Sequence, residues 1–232
     1  MINHRIKAIL YFFIIIILVV LRVLYADNDY TYYYYEVYNQ VLFSPVYVPV
    51  FLLIISSETD IASNVYVAVR TSVRFNIAML MWKRVVKYAV IYSIVFFVAM
   101  LVMSFTYGES TKWIESLLIG LGNQSVCWIS IGTLYMMLST ATNMPILSFL
   151  LVFAAAISTS YQVFSGFWGS SFEELNMMET MYWFIECDNV FIIIKRLLIY
   201  AAASVTGVLI SYILIRKKEY IKQDRRYENQ YR

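Results

Sequence analysis

A chain of 232 residues that is 61% hydrophobic and only 14% charged is not a soluble domain, which carries about 25% charged and about 45–50% apolar residues. The net charge of +3 comes from bases that flank apolar runs, so it reflects membrane topology rather than a nucleic-acid partner. Two cysteines, Cys127 and Cys187, and one histidine, His4, exclude a disulfide framework and a histidine-built zinc motif.

An apolar run of about 20 residues crosses a hydrocarbon core of ~30 Å as a helix. The first such run, 8–25, follows His4, Arg5 and Lys7. It is longer than a signal-peptide core and no small-x-small cleavage site follows it, so it reads as a retained span. Arg22 lies near its far end, where a long side chain snorkels to the headgroups. A short acidic, aromatic loop comes next, with Asp27, Asp29, Glu36 and Tyr30, Tyr32, Tyr33, Tyr34, Tyr35 and Tyr38. Tyrosine suits the membrane–water interface because its ring is apolar and its hydroxyl is wet.

Span two is 38–55 and contains Pro45 and Pro49, each lacking a backbone donor and each able to kink a helix. The stretch 56–87 is polar and basic. Apolar residues recur at Ile61, Val65, Val69, Val73 and Ile77, while Arg70 and Arg74 stand one turn apart. Acids at its start, Glu58 and Asp60, and bases later suit a helix dipole. Two readings fit: a surface helix whose arginines face lipid phosphate, or a cytosolic contact helix for a soluble partner.

Span three is 88–105, followed by a small outer loop over 108–116. Span four, 117–138, carries Asn123 and Gln124, the most polar residues inside a span. They serve either as interhelical hydrogen-bond glue or as the lining of a path between subunits. A tight turn over 139–144 leads to Pro145, which opens span five, 145–164, at a first-turn position proline tolerates. The segment 165–189 mixes aromatics with five acids, Glu173, Glu174, Glu179, Glu186 and Asp188. It is too apolar for a free loop and too acidic for hydrocarbon, which an extracellular re-entrant or interfacial hairpin resolves. In that hairpin Trp168 and Trp183 would face spans five and six, Glu173 and Glu174 would face water, and the whole would cap the outer end. Span six is 194–215, with Lys195 and Arg196 at its outer edge. A basic tail over 216–232 ends the chain.

With both termini and 56–87 in the cytosol, only Arg22, Lys112, Lys195 and Arg196 of the 18 bases lie outside. That asymmetry sets orientation. The expected fold is therefore an all-α polytopic membrane protein in one domain, with six spans and N- and C-termini cytoplasmic. No G-x-x-x-x-G-K-[ST] loop is present, so the chain cannot drive itself with ATP by that route. The middles of spans three to six hold no acid or base, which argues against an ion-coupled carrier. The Glu173–Glu174 pair resembles the adjacent glutamates of some intramembrane proteases, but a solvated acidic loop is the better reading.

The layout resembles the membrane subunits of ABC transporters of the type-two exporter class. Such permeases have six spans, a cytosolic coupling helix between spans two and three that docks on the ATPase, and extracellular helical elements between spans five and six. Many small bacterial members order an acid after span two, then an arginine, then a lysine leading into span three. Glu58, Arg74 and Lys83 follow that order, although Thr71 stands where the family often has proline and the glycine after the acid is missing. The resemblance implies ATPase-coupling roles for Glu58, Asp60, Arg70, Arg74 and Lys83. It also implies two cytosolic ABC ATPase subunits holding ATP and Mg, a second permease chain, lipid contact, and no cofactor on this chain. It places the protein in a bacterial plasma membrane, exporting or expelling a peptide or other amphipathic substrate, as in bacteriocin export and immunity. The alternatives are a non-transporting immunity or assembly protein that binds a peptide, or a membrane hydrolase.

Overall fold

The computed structural model describes residues 4–59, 74–108, 110–160, 180–181 and 190–230. Among these the regular elements are all helical: α1 (His4–Leu24), α2 (Tyr30–Val37), α3 (Gln40–Leu42), a π-helical turn (Phe43–Tyr47), α4 (Val48–Thr59), α5 (Arg74–Thr106), α6 (Ser110–Thr142), α7 (Pro145–Ser160) and α8 (Val190–Gln230). Four stretches are long and apolar enough to cross a membrane: Arg5–Leu24 in α1, Phe75–Thr106 in α5, Trp113–Thr142 in α6 and Phe191–Lys217 in α8. Two shorter apolar stretches, Phe43–Ser56 and Pro145–Ser158, occupy the places expected for spans two and five.

Side-chain contacts give each helix a direction. Lys7 meets Tyr88 and Tyr11 meets Tyr92, while Arg22 Nε donates to Thr106 Oγ1 at 3.0 Å, so α1 and α5 run parallel. α4 is antiparallel to α5, with Tyr47 beside Phe96 and Phe51 beside Tyr92. α6 returns antiparallel to α5, placing Trp128 on Tyr92 and Gly132 on Val85. α8 runs parallel to α6, with Ser130 near Tyr200 and Thr133 near Gly207. α6 is the central helix and packs on α5, α8 and α7.

Two apolar clusters hold the bundle. The larger unites α1, α2, α4, α5 and α6 around Tyr92, Phe96 and Trp128. The smaller joins Ile77, Met81 and Val85 of α5 to Met136 of α6 and to Val208 and Ile215 of α8. Outside these, α1 buries only a narrow stripe at Lys7, Ile14, Leu18 and Leu21, and exposes Ile9, Phe12, Phe13, Ile16 and Val20. Such a continuous apolar exterior is untenable in water and fits lipid.

The structure departs from the sequence reading at several joints. The tyrosine loop is a helix: Asp29 caps α2 by accepting from the Tyr32 amide at 2.9 Å. Tyr30, Tyr33, Tyr34 and Tyr38 are then buried rather than spread along an interface. Pro45 and Pro49 produce a π-helical turn, in which the Val48 amide reaches back to the Phe43 carbonyl. Pro49 has no N–H with which to continue the α-helical ladder to Pro45. The residues 74–87 are the first part of α5, continuous with the third span. The loop expected over 108–116 is shorter: Gly108, at φ 75°, follows the end of α5, and α6 already starts at Ser110. Asn143, at φ 56°, closes α6 in the same way, its amide donating to the Ser139 carbonyl at 3.1 Å. The basic tail continues α8 as helix through Gln230.

Candidate functional site

Asn123 and Gln124 both lie buried on α6, one turn before Cys127 and Trp128. Gln124 Nε2 donates to the hydroxyl of Tyr38, the residue that ends α2. That bond ties two helices in the way polar residues join helices in lipid. Asn123 Nδ2, Gln124 Oε1, Trp128 Nε1, Tyr47 OH and Ser44 Oγ are buried without a hydrogen-bond partner among the described residues. Aromatic contacts gather most of them into one zone. Tyr38 and Tyr47 both pack on Phe96, at 6.2 Å and 4.9 Å, and Phe43 and Tyr92 both pack on Trp128, at 5.7 Å and 4.9 Å.

Each buried polar group left without a partner costs about 1–3 kcal/mol. A concentration of them is therefore a place where water or a polar guest is favoured. The π-helical turn borders this zone, and such turns recur at functional sites. The groups present are an indole, phenols, a hydroxyl and two amides. They offer neutral hydrogen bonds to an amide-bearing guest and no acid–base pair. No group of three metal-ligating residues occurs among the described residues.

Arg196, expected at the outer edge of span six, lies near the start of α8 and is only 6% exposed. It shares the buried face of α8 with Ile193, Tyr200, Ser204, Gly207 and Ser211, and that spacing of three and four was the signal available in the sequence.

At the α1 C-terminal end, the Arg22 guanidinium lies 3.8 Å from the centre of the Tyr107 ring. Burial pushes the Tyr107 phenol above its ordinary value against the opposing pull of Arg22, so the ring stays neutral and the contact is cation–π. The Tyr107 hydroxyl donates to the Tyr25 carbonyl at 3.1 Å. The neighbouring Glu36 carboxylate raises the Tyr25 phenol, which donates to it at 3.4 Å.

The other residues expected to be functional divide between described and undescribed segments. Arg74 opens α5, Lys83 is exposed two and a half turns later, and Glu58 lies in the last turn of α4. Asp60 and Arg70 lie outside the described residues, as do Trp168, Glu173, Glu174 and Trp183. From the segment expected to form the cap, Thr180 and Met181 are buried, and Met181 belongs to the larger apolar cluster.

These features define a helical membrane protein with a polar, aromatic-lined interior. Comparison with protein-family models, characterised proteins and solved structures finds no match.

Proposed function

We propose that this chain is the membrane-spanning permease subunit of an ATP-binding cassette transporter, powered by separate ATPase subunits and moving a peptide or other amphipathic substrate. One observation carries the reading: α5 is a single helix of 33 residues from Arg74 to Thr106. Its basic first half is thus covalently and helically continuous with a span. A displacement imposed near Arg74 or Lys83 by a nucleotide-driven partner would reach the far end at Thr106, where Arg22 of α1 is attached.

In this reading the chain has six spans, with α4 and α7 serving as the short ones, both termini cytoplasmic, in a bacterial plasma membrane. Glu58, Asp60, Arg70, Arg74 and Lys83 meet the ATPase. Two permease chains enclose the path, and Asn123, whose amide nitrogen has no partner among the described residues, is better placed to meet a guest than Gln124, which is engaged with Tyr38. The segment carrying Trp168, Glu173, Glu174 and Trp183 caps the outer end. The burial of Met181 is what a docked segment requires.

The test is purification of the tagged chain from its own host. A phosphate-loop ATPase is expected to co-purify, and the double reversal Arg74→Glu and Lys83→Glu should reduce its recovery. Recovery of the intact chain with no ATPase would overturn the reading in favour of a non-transporting, peptide-binding membrane protein.

A further inference from the structure

Three buried polar atoms lie where the π-helical turn faces α6. Tyr47 OH comes from the turn, and Gln124 Oε1 and Trp128 Nε1 come from α6. None of them has a hydrogen-bond partner among the described residues. Ring contacts bring the two elements together. Trp128 packs on Phe43 at 5.7 Å and on Phe51 at 4.9 Å, residues one turn to either side of Tyr47. Phe96 of α5 holds Tyr47 at 4.9 Å and Tyr38 at 6.2 Å, and Tyr38 accepts from Gln124 Nε2. Gln124 and Trp128 stand one turn apart on the same face of α6.

The mixture of donors and acceptors selects the occupant. Trp128 Nε1 can only donate, Gln124 Oε1 can only accept, and the Tyr47 hydroxyl can do either. A cation would meet the indole N–H, an anion would meet the amide oxygen, and an apolar guest would leave all three atoms bare. Water both donates and accepts. A buried water makes about three hydrogen bonds to groups otherwise left without partners.

We propose that the bundle holds buried water between the π-helical turn and α6, bridging Tyr47 to Gln124 and Trp128. The site does not rest on the transport reading, because it needs only these three side chains and the aromatic wall around them.

The test is radiolytic hydroxyl-radical labelling of the intact chain, purified in detergent, in water enriched in oxygen-18. Radicals formed from a bound water attack the side chains it touches, however deeply they are buried. Tyr47 is 0% exposed and Trp128 1%, as against 0% for both Tyr30 and Tyr33. The last two differ in donating their hydroxyls to the carbonyls of Met100 and Leu18. Tyr47 and Trp128 are therefore expected to be labelled roughly threefold faster or more, as side chains that touch a buried water. Gln124→Leu should bring both down to the rate of Tyr30 and Tyr33. Tyr38→Phe removes the direct bond to Gln124 but keeps the amide oxygen, so labelling should persist. In parallel, Tyr47→Phe should lower the midpoint of thermal unfolding. Tyr47 and Trp128 as unreactive as Tyr30 and Tyr33, as in a dry or guest-filled site, would overturn the proposal. So would equal loss of labelling in Tyr38→Phe and Gln124→Leu, or a raised midpoint in Tyr47→Phe. Unchanged circular dichroism and elution volume of the variants separate a lost site from a lost fold.

Discussion

Gly207 of α8 lies so close to Thr133 of α6 that a Cβ at position 207 would come within 2.8 Å of the threonine methyl carbon. Any larger side chain there requires the Thr133 side chain or the helix that carries it to shift. The same holds at Gly132, where a Cβ would meet Val85 Cγ1 at 2.5 Å. The central helix α6 thus touches α8 and α5 through glycine on one side of each contact, a known route to close helix approach in lipid.

Replacing Gly207 with leucine is expected to destabilise the bundle by about 1–3 kcal/mol, the usual cost of overpacking. Gly122→Leu is the control, because nothing lies within 4 Å of a Cβ there. Thermal unfolding of the detergent-solubilised chain measures both. Equal losses at 207 and 122 would show that the α6–α8 contact is not close.

The bond from Gln124 to Tyr38 is open to a double-mutant cycle with Gln124→Leu and Tyr38→Phe. The expected coupling is about 0.6 kcal/mol, with an upper limit of about 1.7 kcal/mol for hydrogen bonds in lipid. Zero coupling would mean that the two side chains do not meet in the membrane.

If α5 transmits force, a break in its continuity should uncouple its two ends. Leu80 is exposed, so Leu80→Pro interrupts the helix at a cost of about 3 kcal/mol, and Leu80→Ala is the control for the lost side chain. The proline variant is expected to insert and bind the ATPase yet lose transport. Full transport with proline at position 80 would remove α5 as the coupling element.

Orientation is testable by labelling in a background of Cys127→Ala and Cys187→Ala. A cysteine at the exposed position Asp27 should react with an impermeant thiol reagent added to intact cells. One at Gln223 should react only after the cells are opened. Reaction at 223 from outside would reverse the proposed topology.

Sequence alone determined that the chain is a helical membrane protein, because the length and spacing of apolar runs depend only on bilayer thickness and helix rise. It also located the apolar spans of α1, α5, α6 and α8, though not the extension of α5 back to Arg74 or of α8 on to Gln230, and it marked Asn123 and Gln124 as the conspicuous polar pair. Tertiary structure decided the rest. The tyrosines from Tyr30 to Tyr38 match an interfacial loop as well as a buried helix. Only packing, with the Tyr30 hydroxyl donating to the Met100 carbonyl at 2.9 Å and Tyr33 to the Leu18 carbonyl at 3.1 Å, chose the helix. Arg196 beside Lys195 reads as a charged helix edge until the rotation of α8 turns one inward and leaves the other exposed. Which face of a helix is buried depends on its neighbours, and in a chain apolar on nearly every side, hydrophobic periodicity carries little of that information.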